Sequence, residues 1–88
     1  MNHLFEKLEQ LKLKETILND QMETCTAYLT ALLDFTVQEG TRYHHTAIEK
    51  IALAVHFIEM DLRTEYCHLK LAQALVSSEI HCAEGATA

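Results

Sequence analysis

The sequence has no proline and only two glycines, Gly40 and Gly85, in 88 residues. Turns, hairpins and strand ends draw on these two residue types, so their scarcity argues against a β fold and for long helices. Cations are also few. Seven Lys and Arg stand against thirteen Asp and Glu, a formal charge of −6. A phosphate backbone or an anionic membrane surface is held by clustered Lys and Arg, so no direct contact with nucleic acid or membrane is expected. Three of the seven, Lys7, Lys12 and Lys14, alternate with Glu6, Glu9 and Glu15 in the manner of a solvated helix face. No apolar run approaches the roughly 18 residues that span a bilayer. Cys25, Cys67 and Cys82 are an odd count without framework spacing, and no basic-then-apolar leader opens the chain, so a reducing cytoplasm is the expected compartment.

What is present favours a folded protein. Hydrophobic residues make up 49% and charged ones 23%, too apolar a balance for a disordered chain. The length suits one helical domain over 1–88, with small residues and Gly85 marking 83–88 as a frayed tail. From Leu4 onward, the positions Leu4, Leu8, Leu11, Glu15, Leu18, Met22, Cys25, Leu29, Leu32 and Thr36 alternate steps of four and three without a slip. Apart from Glu15 and Thr36 this is the heptad seam of a coiled coil, which packs long helices at a shallow angle. Glu15 reads either as a buried polar group that fixes register or, the commoner case, as an edge position turned toward solvent, and Asn2 as the cap of the first turn. Asn19-Asp20 is the weak point of the helix, because both side chains compete for backbone bonds.

Gly40 reads as a helix stop in the left-handed conformation, and Thr46 with Glu49 as the capping box of a second helix. The short connection makes the two helices antiparallel neighbours. Within the second helix, Ile48, Ile51, Val55, Ile58 and Leu62 form one apolar stripe, which continues through Tyr66 and Leu69 to Ala72, Val76 and Ile80. A second stripe follows Leu53, Phe57 and Met60 to Leu71 and Leu75. An unbroken helix of about 36 residues would be about 54 Å long, against roughly 30 Å across a compact domain of this size. Either the helices break into a three- or four-helix bundle, or they stay whole and another protein covers the second stripe. The lack of breakers favours whole helices: an all-α fold, a long antiparallel helical hairpin.

Chemical motifs are sparse. There is no glycine-rich phosphate loop, no serine nucleophile elbow and no zinc-protease helix. Cys67-His68 and His81-Cys82 carry zinc-type atoms, but adjacent residues on a helix diverge and the two pairs are about 20 Å apart if the helix continues. No catalytic residue, metal or cofactor is therefore expected. The sequence reads as a non-enzymatic interaction protein, a small acidic adaptor or chaperone. In this reading Leu53, Phe57, Met60, Leu71 and Leu75 anchor a protein partner or a second copy in a homodimer. The alternative is an acidic inhibitor or regulator of a nucleic-acid-binding protein, occupying its basic groove. Salt separates the two: an apolar contact survives it, and acidic mimicry weakens.

Overall fold

The computed structural model describes residues 2–86 and the side chains of 3–85. Helix α1 runs Asn2–Glu39, a single 3-10 turn covers Gly40–Arg42, and helix α2 runs His45–Ala86, with no strand among the described residues. The fold is all-α, and its two helices form an antiparallel hairpin. Contacts run in opposite order along the two helices: Glu15 of α1 meets Gln73 of α2, and the later Thr26 meets the earlier Glu59. No helix among the described residues is long and apolar enough to cross a membrane.

Both helices are whole. At Asn19-Asp20 the helix passes without interruption, and the Thr24 hydroxyl donates to the Asp20 carbonyl at 2.9 Å. Thr16, Thr26 and Thr36 donate in the same way to the carbonyl four residues earlier, so their hydroxyls are satisfied inside the helix rather than competing with it. All ten seam positions from Leu4 to Thr36 are half-buried or buried, as the heptad requires.

The turn differs from the sequence reading in its geometry. No glycine has a positive φ among the described residues, so Gly40 is not a left-handed stop. Gly40 instead opens the 3-10 turn and is buried, with the Tyr43 amide donating to its carbonyl at 3.3 Å. A side chain there would meet Thr36: an added Cβ would lie 3.0 Å from Thr36 Cγ2. An alanine there would need the Thr36 methyl to give by a few tenths of an ångström. Helix α2 starts at His45, one residue before Thr46, and the Ile48 amide donates to the His44 carbonyl at 3.1 Å. The segment read as a frayed tail is helical as far as Ala86, while 87–88 and the Asn2 side chain lie outside what is described.

The chain divides into two compact units, Asp20–Arg63 and Met1–Asn19 with Thr64–Ala88. The second holds every buried apolar side chain among the described residues: Leu18, Leu69, Val76 and Ile80. It also contains a polar layer. Gln73, 8% exposed, donates from Nε2 to Glu15 Oε1 at 2.8 Å, and Lys70 Nζ donates to the same oxygen at 3.2 Å. Glu15 is therefore a half-buried register group and not an edge residue. Its carboxyl is held below its ordinary value by the Gln73 bond and then the Lys70 bond, against an opposing pull from partial desolvation.

Candidate interaction surface

The seam of Asp20–Arg63 mixes large apolar residues, Met22, Leu29, Leu32, Ile48, Val55 and Leu62, with small or polar ones, and every one of them is only half-buried. Cys25 and Thr36 lie on the α1 side, and Ala52 and Glu59 on the α2 side, each half-buried among larger neighbours such as Leu29 and Val55. Glu59 accepts from Arg63 Nε at 3.1 Å, and its other carboxylate oxygen lies 3.5 Å from the Thr26 hydroxyl, whose proton it shares with the Met22 carbonyl. Gly40 is the only buried residue of this unit. No apolar side chain in it is buried, and most of the chain's exposed large apolar side chains belong to it.

The α2 register explains this. Its half-buried and buried positions are Ile48, Ala52, Val55, Glu59, Leu62, Tyr66, Leu69, Gln73, Val76, Ile80 and Ala83, with Ala72 beside them. The steps alternate four and three from end to end. Ile51 and Ile58, read from the sequence as core, are each 54% exposed, displaced by Ala52 and Glu59. The larger residues looked more core-like, but a seam through them would slip register after Leu62, whereas the observed one never does.

Two apolar surfaces result in this unit. One is a ridge on α2 formed by Leu53, Phe57 and Met60, with Phe57 59% exposed and its ring 5.9 Å from that of His56. The other, which the sequence reading missed, is a groove along one flank of the hairpin, about 480 Å³ in volume. It is lined by Tyr28, Ala31, Leu32 and Phe35 of α1 and by Ile51 and Val55 of α2. Tyr28 is 70% exposed, and Phe35 packs against Tyr43 with ring centroids 5.6 Å apart. The signal for the groove was the matching position of Tyr28, Phe35, Ile51 and Ile58, each one residue before a seam residue of the four-step class. In the other unit, Leu71 and Leu75 are exposed on α2 as well.

Chemical groups do not converge. Helix α2 is continuous through Cys67-His68 and His81-Cys82, which leaves the pairs about 20 Å apart along its axis. No group of three or more candidate metal ligands occurs among the described residues, and all three cysteines are free thiols. No protein-family model, curated protein or solved structure matches the chain.

Proposed function

We propose that the protein is a non-enzymatic helical interaction module, a small acidic adaptor or chaperone of the cytoplasm whose apolar helix faces are covered by another protein. One observation carries this reading. In Asp20–Arg63 no apolar side chain is buried, four of the ten seam positions are the small or polar Cys25, Thr36, Ala52 and Glu59, and Tyr28, Phe35, Ile51, Phe57, Ile58 and other large side chains face outward. A hairpin that folded for itself would bury more of these large apolar side chains, because burying each one stabilises by about 1.5–3 kcal/mol. A helix apolar on most sides is an interior helix, and here the interior must be completed from outside.

Leu53, Phe57 and Met60 are the anchors for a partner of this unit, and Leu71 and Leu75 serve the other. A single-helix ridge with i, i+4, i+7 anchors fits an apolar groove on the partner, and a Leu, Phe, Met composition adapts its shape to that groove. The net charge of −6 keeps the uncovered form soluble.

The test is Phe57→Asp, read by circular dichroism and by fluorescence of an apolar dye in dilute protein. The helical signal should persist and dye binding should fall. Outright unfolding would place the ridge in the internal core and remove the proposal's basis. Dye binding by the wild type should also survive high salt, in contrast to an acidic surface acting on a basic groove.

A further inference from the structure

We infer that Glu15, Gln73 and Lys70 form a register lock, a polar clasp that holds α2 at one position along α1 and excludes pairings displaced by a heptad.

The rest of the seam leaves that choice open. In 4–18 of α1 and 69–83 of α2, every half-buried or buried position is Leu, Ile, Val or Ala except Glu15 and Gln73. An apolar heptad seam meets its partner about equally well after a slide of one repeat, because the pattern returns to itself. The turn does not prevent such a slide. Moving it by about half a heptad along the chain displaces one helix past the other by a whole one, and no proline or left-handed residue pins its place.

The clasp does distinguish the registers. Gln73 is buried, and both ends of its amide are used: Nε2 donates to Glu15 Oε1 at 2.8 Å, and Oε1 accepts from Lys70 Nζ at 3.1 Å. Lys70 also donates to Glu15 Oε1 at 3.2 Å, which closes the network. No buried polar side-chain atom among the described residues lacks a partner. Lys70 and Gln73 share a helix and move together, so a slide takes both from Glu15 at once. In the two displaced registers Gln73 would face Leu8 or Met22. Leaving a buried amide or carboxylate unpaired costs more than the hydrogen bond contributes when made, so the clasp adds little to stability and much to selectivity. Register is a count along the chain and both helices are continuous. The same lock therefore fixes which residues of α1 face which of α2 in Asp20–Arg63, including Tyr28, Phe35, Ile51 and Val55 of the groove.

Nuclear magnetic resonance on the whole chain, with a nitroxide on Cys82 and with Cys25→Ala and Cys67→Ser to remove the other thiols, reads the register. The Glu15–Gln73 pairing puts Cys82 level with Glu6, which lies as far before Glu15 as Cys82 lies after Gln73. With the clasp intact, one set of amide signals should appear, with broadening centred on Glu6. Glu15→Leu combined with Gln73→Leu should stay helical and melt no lower, because an apolar pair replaces a buried polar one. It should nevertheless show a second set of signals, with broadening that moves one heptad to Leu13 or passes beyond the start of α1. Exchanging the partners, Glu15→Gln with Gln73→Glu, keeps one amide, one carboxylate and Lys70, and should restore a single set centred on Glu6. A double-leucine variant with one register would overturn the lock. So would one that unfolds, because the clasp would then be required for stability rather than for selection. Several registers in the exchanged variant would overturn the hydrogen-bonded network as the selecting element.

Discussion

Leu69→Ala probes where the chain keeps its own core. Leu69 is 8% exposed and belongs to the unit that holds every buried apolar side chain among the described residues. Truncating such a leucine removes its transfer free energy and leaves a cavity that two helices can partly close, so the low end of the usual range applies, about 2–3 kcal/mol. A domain of this length has about 4–13 kcal/mol in total, so the loss is a large fraction of it. The melting temperature should fall by about 10–20 °C in circular dichroism at high dilution. Ile51→Ala is the control. Ile51 is 54% exposed, and alanine is the better helix former, so the cost at the same dilution should stay under about 1 kcal/mol. If Leu69→Ala melts within a degree or two of the wild type, or if the two variants cost the same at high dilution, the assignment of internal core to one unit is wrong.

Other perturbations address the polar layer and the turn. Glu15 has its folded pKa lowered, so its contribution is present above the ordinary carboxylate value and is lost as pH falls through the folded value. Chemical denaturation across pH should therefore show Glu15→Gln less stable than the wild type at neutral pH, with the gap closing in acid. A gap constant with pH would refute the linkage. Gly40→Ala should gain about 0.4–1 kcal/mol through the unfolded chain only when Thr36→Ser has removed the methyl 3.0 Å away, and less in the wild-type background; equal gains in both would mean that the contact carries no weight. Gly85→Ala, with nothing within 4 Å of the added carbon, should raise the melting temperature slightly, and a fall would show that the last turn of α2 is not helical in solution.

The fold was legible because its signal is periodic and long. Ten seam positions of α1 could be placed from spacing alone, and all ten face inward to some degree. The α2 seam was legible from Leu62 onward at Leu69, Val76 and Ile80, which are both large and in register, but not at Gln73, where the apolar Ala72 was the sequence choice. Before Leu62, hydrophobicity and register disagree: Ile51 and Ile58 are the more apolar choice, Ala52 and Glu59 the one that keeps the heptad. Reading by hydrophobicity assigned the core stripe to the flank and hid the groove. Gly40 marked the turn correctly, but through a 3-10 turn packed against the Thr36 methyl rather than through a left-handed stop. Glu15 behaves likewise, because a buried role depends on Gln73 and Lys70, 58 and 55 residues away in sequence. The exposed positions of Leu53, Phe57 and Met60 follow from spacing. What they touch does not.

Asp20–Arg63 buries no apolar side chain of its own. Amide hydrogen exchange measures this most directly, compared between the two units at high dilution and again at high concentration. At high dilution, amides of Asp20–Arg63 should exchange much faster than those around Leu18, Leu69, Val76 and Ile80, and association should selectively slow them. Uniform, concentration-independent protection along both helices would contradict it, because the chain would then be covering its own surfaces.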